Sequence, residues 1–176
     1  MESKREVPAE SRQGFKSRLA NIDGRPAALI VAGALGGAVA SWLMDALSKL
    51  AEMPLVIVPF ATSILVVMGT PEAEPAQPRA LIGGHLISTI AGIVVVHFTG
   101  PSPLAAAAAV GLAMLAMHLT RTFHPPAGID PLIVVHNDLS WSFLLMPVTA
   151  GVLLLAAFAF VWHNASRRGA WPLRWW

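Results

Sequence analysis

Apolar residues fill six segments of the chain, separated by short connections rich in glycine, proline and charged residues. Four of these segments, residues 27–50, 81–98, 103–120 and 142–162, have 24, 18, 18 and 21 residues. Because about 20 apolar residues in a helix cross the hydrocarbon core of a bilayer, we expect each of the four to span a membrane. The other two, residues 54–68 and 125–135, have 15 and 11 residues and contain prolines. We expect neither to cross as an ordinary straight helix.

The order of long and short segments repeats along the chain. A long, a short and a long segment over residues 27–98 are followed by the same order over residues 103–162. Three crossings per half is an odd number, so the second half would lie inverted relative to the first, as in many transporter folds. The sequence therefore predicts an all-α, polytopic membrane helix bundle of four long spans and two short proline-broken segments, with a 3+3 inverted repeat as its expected symmetry.

Basic residues are concentrated on one side of this predicted topology. Residues 1–25 hold six of the 12 Lys and Arg residues and read as a cytosolic basic arm, residues 26–163 as the transmembrane domain, and residues 164–176 as a cytosolic tail. With six crossings, 11 basic residues are cytosolic and only Lys49 lies outside; with two re-entrant segments the division is 9 to 3. The excess of basic residues in cytosolic loops favours six crossings with both termini cytosolic.

Composition places the chain in a membrane. Hydrophobic residues make up 55% of it and charged residues 12%, about half of the charged share of soluble domains. This excludes a water-soluble enzyme, and the absence of cysteine excludes disulfides and thiolate sites. The expected partner is a lipid bilayer, with no nucleic acid. The first apolar segment is too long for a cleavable signal peptide, and the arm contains four acids, which favours a bacterial inner membrane over an organelle transit peptide.

Ionisable residues lie in and beside the second short segment, where Arg121, His124 and Asp130 follow one another with Thr122 after the first. Such residues are rare at membrane depth unless they face an aqueous path or pair with each other. Arg121 is interpreted either as an anion ligand or as a topology anchor, and His124 as a hydrogen-bond donor or proton shuttle. Asp130 is the least expected, because a carboxylate repels an anion. It is protonated by burial, paired with a cation, or a proton-coupling group.

Prolines interrupt both short segments, at Pro59 in the first and at Pro125, Pro126 and Pro131 in the second. Non-helical backbone within a membrane persists only where protein covers it or water reaches it. Broken helices also present free N–H groups and a partial positive charge at their N-termini. We therefore expect two such ends to face one another across a polar crevice that admits a small anion. The simpler alternative is that the prolines only terminate short helices in a compact bundle.

Small residues recur every four positions in the first span, at Gly33, Gly37, Ser41 and Asp45. Small residues at this spacing let helices approach closely, so Asp45 is expected to point into a helix contact. The same face is available for self-association, and we expect a homo-oligomer, namely a dimer.

Tryptophan takes the interfacial role in a chain without tyrosine. Trp141 and Trp162 are predicted to mark the two interfaces, with Trp171 and Trp175 on the cytosolic side. Trp42 is predicted to pack within the bundle. His136 and His163 are expected to be solvated in a loop and in the tail.

Neither a metal site nor a catalytic site is predicted. His118, His124 and Asp130 are separated by gaps of six residues, which match no helical ligand spacing, so no metal or other cofactor is expected. Ser63 has no Gly-x-Ser-x-Gly elbow around it and no orienting acid near it in sequence, so a nucleophilic Ser–His pair is not supported. We expect the protein not to be an enzyme.

Four short motifs resemble those of a known family. Residues 121–128, RTFHPPAG, resemble the signature of the HPP family of integral membrane proteins, named for its His-Pro-Pro. Residues 58–63, VPFATS, resemble the family's Pro-Phe-Gly-Ala-Ser element, while QPR at 77–79 and GGH at 83–85 resemble its Gln-Pro-Arg and Gly-Gly-His elements. Family members are commonly described as having four membrane spans, and some plant and cyanobacterial members are implicated in nitrite transport. The resemblance therefore implies a nitrite-type anion permease.

The resemblance and the ionisable residues together define the expected substrate-binding set. Its members are Thr62, Ser63, Gln77, Arg79, His85, Arg121, Thr122, His124, Pro125, Pro126, Gly128 and Asp130. The sequence departs from the family where Ile129, Asp130 and Pro131 follow Gly128 in place of Ala-Thr-Ala, and an acid there argues against simple nitrite conduction.

Three functions compete at this stage. The leading prediction is a channel or transporter for a small inorganic anion. Its rivals are a non-transporting membrane scaffold and, third, a membrane enzyme that acts on lipid.

Overall fold

The computed structural model of the chain describes residues 21–22, 25–50, 52, 57–166 and 169–175. Within them the regular secondary structure is helical, apart from the two-residue strands β1 (Asn21–Ile22) and β2 (Arg25–Pro26), which pair antiparallel. The predicted all-α class is confirmed. Most of the predicted cytosolic arm lies outside the described residues.

Every predicted apolar segment contains at least one helix. The elements are α1 (Ala27–Leu50), α2 (Ile57–Gly69), a 3-10 turn (Glu74–Ala76), α3 (Pro78–Thr99), α4 (Pro103–Leu119), a 3-10 helix (Pro125–Ile129), α5 (Asp130–His136), α6 (Trp141–Phe143), a π-helical stretch (Leu144–Thr149) and α7 (Ala150–Ser166). The last apolar segment is interrupted at Met146, whose φ of −138° and ψ of 119° are extended, ahead of Pro147. Pro147 was the available sequence signal for this break, because proline removes a helical hydrogen bond.

Contacts between helix ends show that the chain reverses direction within two pairs of consecutive helices. Arg25, at the start of α1, contacts the carbonyl oxygen of Gly69 at the end of α2 and the carboxylate of Glu72. Arg79, at the start of α3, donates from Nη2 to the carbonyl oxygen of Thr120 beyond the end of α4, at 2.8 Å. α1 and α2 are therefore antiparallel, as are α3 and α4.

The charge asymmetry predicted from the sequence is present among the described residues. Arg25, Arg79, Arg121 and Arg174 lie at one end of the bundle, which we call the arginine end. Lys49 lies in the last turn of α1, at the opposite end.

In the part of the chain that the structure describes, three helical stretches are long and apolar enough to cross a membrane: Ala27–Leu50, Pro78–Thr99 and Trp141–Ala165. α4, which covers the third of the four predicted long spans, has 17 residues. Large apolar side chains are exposed on all four of these segments, as expected of surfaces that face lipid. The number of crossings and the inverted repeat stay predictions.

Two apolar clusters pack the bundle. The first joins α1, α2 and α7 and includes Met44, Phe60 and Leu155. The second joins α3, α4, α5 and the segment that leads into α7, and includes Ala109 and Val134. α3 also contributes Leu81 to the first cluster and Ile93 to the second, and its polar residues His85, Ser88 and Thr89 lie between these two positions.

The prolines of the short segments begin helices rather than break them, which corrects one expectation. Pro59 is in the first turn of α2, Pro125 and Pro126 begin the 3-10 helix, and Pro131 is in the first turn of α5. Proline is tolerated there because its missing N–H has no partner within the helix in any case. The expectation that two helix N-termini face each other is also wrong. α2 begins at the end opposite the arginine end, whereas the 3-10 helix begins near the arginine end.

Several single-residue expectations are corrected as well. The Asp45 side chain is 45% exposed and pairs with Lys49 of its own helix at 2.7 Å, so it does not enter a helix contact. Trp42 is 67% exposed, whereas Trp171, expected in an interfacial belt, is buried and donates from Nε1 to the carbonyl oxygen of Ala76 at 3.1 Å. His163 lies in α7 and bonds the carbonyl oxygen of Val67 at 3.0 Å.

Candidate functional site

Three glycines of α3 let the segment that leads into the 3-10 helix, and α5, lie directly against it. A Cβ atom at Gly83 would come within 2.6 Å of the Thr122 side chain, and one at Gly84 within 2.5 Å of the His124 Cβ. About two helical turns further along α3, a Cβ atom at Gly92 would lie 2.8 Å from the Cα of Pro131. These distances are shorter than any real contact of a Cβ atom, so only glycine fits. The Gly-Gly-His element thus places His85 beside the backbone that carries His124.

Four side chains form one chain of hydrogen bonds at this junction, which we call the buried polar chain: His124, Ser63, His85 and Asp130. His124 Nδ1 bonds the carbonyl oxygen of Pro75 at 2.7 Å, and His124 Nε2 bonds Ser63 Oγ at 2.9 Å. Ser63 Oγ bonds His85 Nε2 at 2.8 Å, and His85 Nδ1 bonds Asp130 Oδ2 at 2.8 Å. All four residues have no exposed surface.

This chain joins the two short segments. Ser63 is the middle residue of α2, and His124 and Asp130 flank the 3-10 helix of the second half. Burying a polar group costs free energy unless it is hydrogen-bonded, and the chain meets this requirement by bonding its members to one another. The short segments therefore meet where the middle of α2 lies beside the residues that flank the 3-10 helix.

Neighbouring polar groups of α3 complete the site. Thr89 Oγ1 donates to Asp130 Oδ2 at 3.3 Å, and Ser88 Oγ donates to the carbonyl oxygen of Ala127 at 2.6 Å. Among the described residues, Asp130 Oδ1 is buried without a hydrogen-bond partner. Ser88 and Thr89 lie at the midpoint of α3, which is about 33 Å long at 1.5 Å per residue.

Arginines line a second site at the arginine end. Arg79, Arg121 and Arg174, with Glu74 and Gln77, surround a cavity of about 200 Å³. A neighbouring cavity of about 270 Å³ is lined by Glu74, Pro75, Ala80, His118, Arg121 and Phe123. Pro75 links this second cavity to the buried polar chain, because its carbonyl oxygen accepts from His124.

The predicted substrate-binding residues fall into three groups. Ser63, His85, His124 and Asp130 form the buried polar chain, and Arg79, Arg121 and Gln77 lie at the arginine end. The remaining members, Thr62, Thr122, Pro125, Pro126 and Gly128, have other surroundings. Thr62 and Pro125 are exposed, Pro126 and Gly128 are half-buried, and buried Thr122 bonds Thr120 at 2.8 Å.

Gln77 acts as a structural clamp. Its Nε2 donates to the carbonyl oxygens of Pro71 at 2.8 Å and Ala73 at 3.1 Å. Its Oε1 accepts from the backbone N–H groups of Leu173 at 2.9 Å and Arg174 at 3.3 Å. With both ends of its amide bonded to backbone, Gln77 holds the last described segment of the chain against the connection that precedes α3.

Sequence reasoning missed Ser88, Thr89 and the carbonyl group of Pro75. Ser88 and Thr89 follow His85 by three and four residues, so they share its helix face, and that spacing was an available signal. The sequence placed His85 in the expected substrate-binding set but did not identify Asp130 as its hydrogen-bond partner. The two are 45 residues apart, and no local pattern links them.

Ser63, His85 and Asp130 stand in the order of a serine-hydrolase triad, with the orienting acid supplied from far along the chain. A nucleophilic serine needs access to a substrate carbonyl group and donors for an oxyanion. Here the hydroxyl group is fully buried and also bonded by His124. Within the described residues no three His, Asp or Glu side chains gather as a metal site.

The expected polar crevice does not reach the buried polar chain in the described part of the protein. The polar side chains of the junction have no exposed surface, and the arginine-lined cavities lie at the arginine end.

Comparisons with known proteins agree with the motifs. A family model described as HPP, transmembrane region, matches residues 23–172. Two proteins of Dictyostelium discoideum, each named as a transmembrane protein, are similar. One is 35% identical over 134 residues, 72% of this chain and 47% of that protein; the other is 34% identical over 125 residues, 66% of this chain and 40% of that protein. The chain therefore spans less than half the length of these relatives. No solved structure matches it.

Proposed function

The chain belongs to the HPP transmembrane family, and on that premise we propose that it is an integral membrane transporter or channel for a small inorganic anion, with nitrite as the first candidate. The buried polar chain carries this proposal. Ionisable groups at the centre of an apolar bundle are costly and, in membrane proteins, typically mark a substrate or proton path. Here they join the two short segments, which is where transporters with two related halves place their sites.

The arginine end supports an anion as the substrate. Three guanidinium groups around a small cavity raise the local concentration of anions, and arginine binds planar oxyanions through two parallel N–H donors. Pro75 separates the neighbouring cavity from His124. We propose that an anion enters at the arginine end and reaches the buried polar chain when the connection that contains Pro75 moves.

Complete burial of the polar chain favours the rival function, a non-transporting scaffold. In that case the hydrogen bonds only fix the packing of the two short segments. A scaffold requires no flux of any anion, so the two functions are separated by a transport measurement.

Flux into proteoliposomes tests the proposal. We expect purified protein in vesicles to admit nitrite faster than protein-free vesicles do, with nitrate, formate and chloride compared in parallel. Arg121→Gln removes one charge from the entrance and should slow uptake several-fold. His136→Gln changes an exposed residue in the last turn of α5 and is the matched control; it should not slow uptake. Absence of flux for all four anions would contradict the transport function and favour the non-transporting scaffold.

Four further properties belong to this proposal. We propose that the arginine end is cytosolic, as the excess of basic residues there favours. The bacterial inner membrane stays a prediction, since the two similar proteins come from Dictyostelium discoideum. We further propose that the protein is a homo-oligomer, namely a dimer, and that it carries out no catalysis.

A further inference from the structure

The Asp130 carboxylate lies at the centre of the proposed anion path, where its negative charge would repel an anion. The protonation of the buried polar chain is fixed by the carbonyl oxygen of Pro75, which can only accept a hydrogen bond. His124 Nδ1 therefore carries a proton and donates it there, at 2.7 Å. In neutral His124 the other ring nitrogen, Nε2, is then an acceptor.

This bond determines which atom donates in each of the other hydrogen bonds of the buried polar chain. Ser63 donates its hydroxyl proton to His124 Nε2 at 2.9 Å, which is closer than the carbonyl oxygen of Pro59 at 3.5 Å. The Ser63 oxygen then accepts from His85 Nε2–H at 2.8 Å. His85 Nδ1 and Asp130 Oδ2, 2.8 Å apart, must share one proton, because without it both atoms would be acceptors.

A count of protons gives the charge of the site. With one shared proton the pair is either imidazolium and carboxylate or imidazole and carboxylic acid, and both arrangements have zero net charge. Loss of that proton leaves a buried negative charge, which an anion would avoid. A second proton gives a net charge of +1, and Asp130 Oδ1 is the place for it, because among the described residues this buried atom has no partner.

We propose that the His85–Asp130 pair is a proton-binding site that couples anion transport to proton transport, with one proton carried alongside each anion. This inference rests on the proposed anion transport. A proton from the side of entry binds Asp130 Oδ1, the anion neutralises the resulting positive charge, and both leave on the far side, where Oδ1 is again unprotonated. The loaded site is neutral, so neither ion has to enter the apolar interior as an uncompensated charge.

Among the residues that the structure describes, few other titratable groups lie near the pair. α3 supplies His85, with Arg79 and His97 at its two ends, and the segment before the 3-10 helix supplies His124, which reaches the pair through Ser63. The sequence of α2 contains no titratable residue. In α4 the titratable residue is His118, which is exposed and stacked on Phe123, and in α5 it is exposed His136. The added proton therefore resides on the pair.

Simultaneous measurement of nitrite and proton movement tests the coupling. Wild-type protein is placed in vesicles that contain a pH-sensitive dye, with equal pH on both sides and the membrane potential clamped by potassium and valinomycin. We expect nitrite uptake to acidify the lumen by one proton per nitrite, after subtraction of the leak of nitrous acid into protein-free vesicles. Nitrite uptake without this acidification would overturn the coupling and leave the proposed function intact. Absence of uptake of nitrite and of the other three anions would overturn both.

The Asp130→Asn variant tests whether the transported proton binds to the His85–Asp130 pair. Asparagine keeps the shape but cannot be protonated, so we expect at least a tenfold loss of nitrite uptake driven by a proton gradient, while exchange of labelled for unlabelled nitrite continues. Exchange needs no net proton movement, so it reports on whether the site is intact. Loss of both activities would indicate a structural role, and retention of both would place the proton elsewhere; either result overturns the assignment. Asp138→Asn, an exposed residue beyond α5, is the matched control and should retain both.

Discussion

At the residue scale, a single hydroxyl group connects the two halves of the molecule. Ser63 Oγ is bonded by His85 on one side and by His124 on the other. The sequence indicated His124 and Asp130 as unusual, because they are ionisable residues in an apolar region. It did not indicate which residues they would bond, because the partners are 45 and 61 residues apart and local patterns do not encode such distances.

Ser63→Ala should destabilise the protein measurably. The substitution leaves His85 Nε2 and His124 Nε2 buried without their partner, and an unsatisfied buried polar group costs about 1–3 kcal/mol. The free energy of unfolding in detergent, from denaturant titration, measures the change.

Thr62→Ala is the control for that experiment. Thr62 precedes Ser63 on α2 but is exposed, so its substitution should change stability by no more than about 0.5 kcal/mol. Equal effects of the two substitutions would argue against the hydrogen bonds as the cause.

At the element scale, close approach of backbone to backbone decides the position of the site. The sequence predicted that the short segments are special but assigned their prolines the wrong role. Pro59 and Pro131 begin helices, while Gly83, Gly84 and Gly92 on α3 do the positioning. The sequence around a glycine in an apolar helix does not show which other element packs against it. This part of the fold could therefore not be predicted from one sequence.

Gly84→Ala should displace His124. The added methyl group would lie 2.5 Å from the Cβ of His124 and 3.0 Å from the carbonyl oxygen of Thr122, and backbone there cannot move freely. Overpacking of this kind costs about 1–3 kcal/mol. Thermal unfolding in detergent measures the loss.

Gly111→Ala is the matched control within α4, because nothing lies within 4 Å of an added Cβ there. Replacing a helical glycine with alanine in open space should stabilise by about 0.5–1 kcal/mol. A Gly84 variant as stable as the Gly111 variant would contradict the packing described for α3.

At the scale of the whole molecule, hydropathy and charge predicted more than motifs did. The six segments, their order and the collection of arginines at one end were all predicted, because these properties are sums over many residues. The predicted symmetry between the two halves depends on the detail of individual helices rather than on such sums. α3 is continuous, whereas its counterpart in the second half is interrupted at Met146, so the expected repeat is not reproduced in detail.

Accessibility from the two sides of the membrane should show whether α2 crosses. The chain contains no cysteine, so single cysteines can be introduced at exposed Glu52 and Glu74, on either side of α2. We expect a membrane-impermeant maleimide to label Glu52→Cys from outside and Glu74→Cys only after the cytosolic face is opened. Labelling of both from one side would show that α2 re-enters.

Val39→Trp tests self-association through α1. The small-residue face of α1 packs against α2, because a Cβ atom at Gly33 would lie 2.6 Å from the carbonyl oxygen of Met68 and one at Gly37 would lie 3.8 Å from Ile64. The opposite face of α1 exposes Leu35, Val39 and Trp42, and a bulkier side chain at Val39 would hold two such faces apart. We expect a smaller dimer fraction in native mass spectrometry, with Gly111→Leu as the control. An unchanged dimer fraction would exclude this face.

The clamp formed by Gln77 has a practical consequence for anyone who prepares the protein. Trp171 and the backbone of Leu173 and Arg174 are fixed beside the arginine-lined cavity. An affinity tag joined directly after these residues would crowd the place where an anion is proposed to enter. Purification through the other terminus, or through a long cleavable linker, avoids an artefact that would otherwise resemble an inactive protein.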